Sequence, residues 1–190
     1  MLKGVTKMQA LVDYKKSEFI NGTVYDMRPA NTKHIAIQRN LSGIILNFLK
    51  GKRCNLFTGI GVDFDEDNYF IPDLVVVCDP NKITHRGING APDFVVEVLS
   101  TSTRKRDIDI KKQTYERFGV KEYWIINPKD ESIEVYILKN GKYELDNVYH
   151  NLSEEDWDEL DEDEKAQQQL SLKISLYSDL EIPVKDIFEI

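Results

Sequence analysis

Two acidic side chains sit against runs that read as buried strands. Asp73 follows Pro72 at the mouth of Leu74-Val75-Val76-Val77, and Glu97 lies inside Phe94-Val95-Val96-Glu97-Val98-Leu99. An ionised carboxylate in such a setting costs several kcal/mol or neutralises itself by a pKa shift, so a nearby cation is expected. If the two runs are neighbouring strands, both carboxylates can converge on a hard divalent ion that takes oxygen ligands and keeps several waters. That describes magnesium, with manganese as a substitute, better than zinc. No group of Cys and His with zinc-finger spacing competes for the assignment.

Lys111 lies four residues after Asp107 and four before Tyr115, so the three share one helical face. A lysine directed from that helix towards the carboxylates could hold an attacking water and stabilise charge developing on a phosphate. His34 falls on an apolar helical stripe and should point inward, where it could ligate a second metal, contact phosphate or relay a proton. Lys112 is the nearest substitute for Lys111. Five further residues read as structural: Asp93 as a strand cap, Glu18 as a surface acid, and Tyr115, Tyr123 and Trp124 as core or interface aromatics.

The elements that must position these residues follow from periodicity and punctuation. Residues 7–16 predict a short helix, and Asn21-Gly22 between β-prone runs predicts a tight hairpin. A longer helix starts at Asn31, buries Ile37, Leu41, Ile44, Ile45 and Phe48, and stops at Gly51. The run from Phe70 to Val77 reads as one strand covered on both faces, and Phe94 to Leu99 as a second, separated by a loop rich in Gly and Asn. Ser100 to Thr103 offer N-caps for a helix ending at Arg117 before Gly119. A strand over 122–126 and a hairpin across Asn140-Gly141 at a sheet edge come next. Ser153 with Asp156 resembles a capping box that opens an acidic helix over about 153–169. A strand and a terminal turn packed through Ile187, Phe188 and Ile190 close the chain.

The order Pro72-Asp73, Glu97-Val98-Leu99-Ser100, Asp107 with Lys111 and Tyr115, then Gly119-Val120-Lys121-Glu122-Tyr123-Trp124 resembles the Uma-type restriction endonuclease family of the PD-(D/E)XK superfamily. The similarity runs from the Asn21-Gly22 hairpin and His34 to Pro128 and weakens in the acidic segment. It implies an α/β fold with a restriction-endonuclease-like core, a mixed β-sheet flanked by helices, and metal-dependent hydrolysis of a phosphodiester. In the superfamily pattern a lysine stands two positions after the second acid, where this chain has Leu99, and Lys111 on the following helix takes its place. On this reading Asp73 and Glu97, with the Val98 carbonyl, hold Mg²⁺, and Lys111 positions the water. Arg104, Lys105, Arg106 and Lys112 track the phosphates of a nucleic acid, DNA before RNA.

Bulk properties are compatible with one domain spanning 1–190: 190 residues, 41% hydrophobic, can bury a core without disulfides. Cys54 and Cys78 are accordingly expected as reduced, buried thiols of a cytoplasmic protein. No apolar stretch reads as a signal peptide or a membrane span. The net charge of −8 opposes nucleic-acid binding at first sight. The segment Glu154–Glu164, however, holds nine of the 33 acids, leaving 24 against 25 lysines and arginines. The alternatives are a catalytically inactive protein of the same fold that binds nucleic acid or a protein partner, and an assembly protein that dimerises through Leu180–Ile190. A homodimer would suit cutting both strands.

Overall fold

The computed structural model describes residues 17–100 and 106–190. The expected opening helix over 7–16 and the caps Thr101 to Thr103 lie outside them. In chain order the strands and helices are β1 (Ser17–Ile20), β2 (Thr23–Asp26), α1 (Thr32–Leu49), β3 (Asn55–Phe57), β4 (Val62–Asp65), β5 (Asn68–Phe70), β6 (Leu74–Val77), β7 (Ile83–Thr84), β8 (Gly87–Asn89) and β9 (Phe94–Val98). A π-helical turn, Arg106–Lys111, runs into α2 (Lys112–Phe118). Then follow β10 (Glu122–Asn127), β11 (Ser132–Lys139), β12 (Lys142–His150), α3 (Glu154–Glu159), α4 (Glu162–Gln167), β13 (Ser171–Ile174), β14 (Tyr177–Pro183) and α5 (Val184–Phe188).

The fold is mixed α/β, as expected, with two large mixed sheets flanked by helices. The central sheet runs β12-β11-β10-β9-β6-β3, with β9 and β10 parallel and the other neighbours antiparallel. A second six-stranded sheet runs β2-β1-β5-β4-β8-β7. Alternation along the central strands separates two apolar cores. Leu74, Val76, Phe94, Val96 and Trp124 pack with Ile37, Leu41 and Ile45 of α1 and with the β13–β14 hairpin and α5. Val75, Val77, Val95, Tyr123 and Ile125 pack with Tyr115 of α2 and with Ile20, Val62, Phe70 and Ile88 of the second sheet. Glu97 belongs by alternation to this second side.

Local signals explain most boundaries. Asn31 caps α1 by accepting the His34 N–H at 2.9 Å. Asn21 and Gly22, like Asn140 and Gly141, take the positive φ that two-residue hairpins demand. Gly119, at φ 82°, ends α2 in the left-handed conformation.

Six expectations need correction. The single strand over Phe70–Val77 is two strands in two sheets, because Ile71-Pro72-Asp73 carries the chain from one to the other and Pro72 has no N–H for a ladder. The helix after Glu97 begins, within the described residues, as a π turn. The loop before β9 contains β7 and β8, and the acidic helix is two helices, since Asp161 with Glu164 forms a second capping box. Ile190 is 76% exposed, whereas Ile187 and Phe188 are buried. Finally, Cys54 and Cys78 form a disulfide rather than two free thiols. They sit one step beyond the Asn55–Val77 pair, so continuation of the β3–β6 register sets them opposite each other. Among the described residues no helix is long and apolar enough to cross a membrane.

Candidate active site

The β6–β9 register builds the site. Leu74 pairs with Val96 in an antiparallel ladder, so one step further Asp73 and Glu97 occupy facing positions at the end of the sheet. Asp73 is held by its own surroundings: Oδ2 accepts the Val98 N–H at 2.7 Å, and Oδ1 lies 2.8 Å from Nε2 of His34. Gln38 adds a hydrogen bond to the Asp73 carbonyl at 2.6 Å. The His34 ring is buried, and its Nδ1 has no hydrogen-bond partner among the described residues. A proton on Nε2 donated to Asp73 leaves Nδ1 as a lone pair, the tautomer that suits a histidine orienting a carboxylate.

Glu97, 3% exposed, accepts from Lys111 Nζ at 2.9 Å and from the Tyr115 hydroxyl at 2.6 Å through the same oxygen, Oε1. The cation that an acid in an apolar strand requires is therefore Lys111, itself 2% exposed. Burial, and then the Glu97 charge, push the Tyr115 phenol well above its ordinary pKa, so it stays a donor. Lys111 is four residues before Tyr115, and both reach Glu97 from the junction of the π turn with α2.

Glu18, expected on the surface, faces inward instead. It is 1% exposed, and its Oε1 lies 2.7 Å from Lys111 Nζ while accepting the Ile71 N–H at 3.0 Å. It thus ties β1 to the segment leading into Asp73 and to the helix carrying Lys111. One acid between Ser17 and Phe19 gives no local sign of this. Only the β1–β5 pairing brings it inward.

The other named residues lie elsewhere. Asp93 stands at the opposite end of β9, where it accepts the Cys78 N–H at 2.8 Å and pairs with Lys121 at 2.7 Å. Burial pushes its carboxyl up, but the Lys121 and Cys78 hydrogen bonds outweigh that and hold it below the usual range. Its role is structural, as read. Lys112 lies over the Tyr136 ring, 3.4 Å from the centroid, and burial lowers its pKa. Arg104 and Lys105 lie outside the described residues, and Arg106 enters only through its backbone in the π turn.

The donor set bears on which metal would fit. Among the described residues no three His, Cys, Asp or Glu are grouped to hold an ion, which argues against a closed protein cage. What is present is two carboxylates at facing strand ends, with a third acid, Glu18, and one ammonium beside them. Carboxylate oxygens of this kind are the hard donors that magnesium takes, with waters completing its shell.

Comparison with known proteins adds to this geometry. The profile of the family Uma2, described as "Putative restriction endonuclease", matches residues 7–175. An uncharacterized protein of Synechocystis sp. is 29% identical over 145 residues, covering 75% of this chain and 70% of that protein. A second uncharacterized protein of the same organism is 26% identical over 152 residues, covering 72% and 84%. A solved structure described as a "putative nuclease belonging to DUF820", from Anabaena variabilis, superposes with a TM-score of 0.73 at 22% identity, covering 97% of this chain and 98% of that one. At that identity the superposition speaks for the fold.

Proposed function

We propose a metal-dependent phosphodiesterase function for this chain, which belongs to the Uma2 putative restriction endonuclease family. The observation that carries the proposal is the facing of Asp73 and Glu97 across β6 and β9, with a buried lysine against Glu97. Asp73 and Glu97, with the Val98 carbonyl, would hold Mg²⁺ or Mn²⁺. When bound, the ion would supply a more acidic water as nucleophile and a counter-charge for phosphate. His34 and the Val98 N–H fix the Asp73 carboxylate, and Tyr115 with Lys111 fixes Glu97. The Lys111 ammonium would stabilise the negative charge that grows on a phosphate seated beside it. The net reaction adds water across a P–O bond of a nucleic acid, for which duplex DNA is the first choice. Cleavage of plasmid DNA in Mg²⁺ or Mn²⁺ tests this reading. Asp73→Ala and Glu97→Ala should each lose cleavage by about 10²-fold or more while keeping the wild-type circular dichroism spectrum. Undiminished turnover in either variant would overturn the assignment.

One observation favours a second reading, a member of the fold that binds nucleic acid or a protein without cutting. Glu97 already has its cation in Lys111, so the buried acid does not by itself demand a metal. Calorimetric titration with Mn²⁺ separates the two. The hydrolytic reading requires a saturable heat that Asp73→Ala removes, and its absence selects the second.

A further inference from the structure

The C-terminal third of the chain holds a cleft of about 560 Å³ that the catalytic reading leaves unused. Its apolar floor is Leu152, Trp157, Leu170, Pro183 and Val184, and its volume falls in the range of sites that take several side chains of a ligand. Leu170 is 54% exposed, among the most exposed large apolar residues described. The walls are fixed in advance. The Val184 N–H donates to the Leu170 carbonyl at 2.9 Å, and the Ser153–Asp156 capping box holds the start of α3.

The acid-rich helices beside the cleft set the sign of the occupant's charge. Glu154 and Asp158 line the cleft together with Lys185 and His150, and unlike Glu162, which lies 3.7 Å from Lys165, neither acid makes an ion pair among the described residues. Around them Glu155, Asp156, Glu159 and Asp161 to Glu164 are all exposed. The field of this face repels phosphate and attracts ammonium and guanidinium groups. Trp157 already has an ammonium near its ring, with Lys165 Nζ 6.0 Å from the centroid.

We propose that this cleft docks a basic peptide segment of a partner protein, with an apolar side chain seated on Leu170 and Trp157 and flanking Lys or Arg residues meeting Glu154 and Asp158. The chain carries its own reporter. Of its two tryptophans, Trp124 is fully buried in the core, so a change in emission on binding comes from Trp157.

The experiment titrates the full chain with a synthetic peptide of alternating leucine and lysine, with its leucine–glutamate counterpart, and with duplex DNA. A saturable blue shift is expected with the leucine–lysine peptide only, weakening as salt rises. Leu170→Asp, at an exposed position that the core does not use, should weaken that binding by at least about tenfold. The proposal is overturned by the absence of a saturable shift, by equal binding of the glutamate peptide or DNA, or by a shift unchanged in Leu170→Asp. It is equally overturned if raising the protein concentration alone produces the shift, since a second copy would then be the occupant.

Discussion

Replacing Lys111 by Met would leave Glu18 and Glu97, both nearly sealed from solvent, without the ammonium that now lies 2.7 and 2.9 Å from them. Removing one member of a buried ionic group typically costs about 3–5 kcal/mol, much of it the penalty of the charges left behind. Urea denaturation of Lys111→Met should show a loss of that order, so loss of activity in this variant reports on folding as well as chemistry. Glu122 makes a different prediction. It is fully buried, accepts from the Trp124 indole at 2.7 Å and from the Ser175 N–H and hydroxyl at 2.7 and 2.6 Å, and thereby clasps the C-terminal hairpin to β10. Burial raises its pKa above the ordinary 4.5 in spite of those donors. The folded state therefore holds this proton more tightly than the unfolded one, and the group's contribution falls as pH rises from the unfolded value through the folded one. The stability advantage of wild type over Glu122→Gln should be largest below pH 4.5 and shrink as the pH rises to neutrality. Denaturation curves at the two pH values check the sign.

At the scale of elements, Gly87 shows how closely the second sheet is built. Its φ is 150°, and a Cβ there would lie 2.4 Å from the Gly61 carbonyl oxygen, the acceptor for the Ile88 N–H. Gly87→Ala should prise β8 from β4 and cost more than about 1 kcal/mol by chemical denaturation. This sheet is also where sequence reading fell short. Its strands are two to four residues long, too short for a period-2 pattern to declare itself. The hairpins at Asn21-Gly22 and Asn140-Gly141 were legible because their turn chemistry is local, and α1 was legible because its cap and its apolar stripe agree. The Phe70–Val77 run misled because its apolar residues serve two sheets in succession, with Pro72 at the change. For the site, Asp73, Glu97 and Lys111 could be named because an acid in an apolar strand and a lysine one helix later are conspicuous. Glu18 could not, since its place depends on the β1–β5 pairing, distant in sequence.

For the molecule as a whole, the Cys54–Cys78 bond closes a loop of 24 residues that includes the crossing from β5 to β6. The chain-entropy cost of such a loop is about 3 kcal/mol, so reduction should lower the unfolding free energy by about that amount. The double variant Cys54→Ser, Cys78→Ser should match the reduced protein and ignore reductant, with urea curves as the measure. The bond is at the end of β6 remote from Asp73, so the loss is one of stability and not of any group at the site. Charge is distributed on the same scale. The acid-rich α3 and α4 account for much of the net −8, while the buried ionic group at the site lies among β1, β9 and the π turn.

The first hairpin looks from its position like a detachable flap, yet through Glu18 it reaches the middle of the molecule. A shortened version beginning after residue 26 would keep every strand of the central sheet and still lose a carboxylate that grips Lys111. Any shortened version of this protein meant to keep the site should therefore retain Glu18.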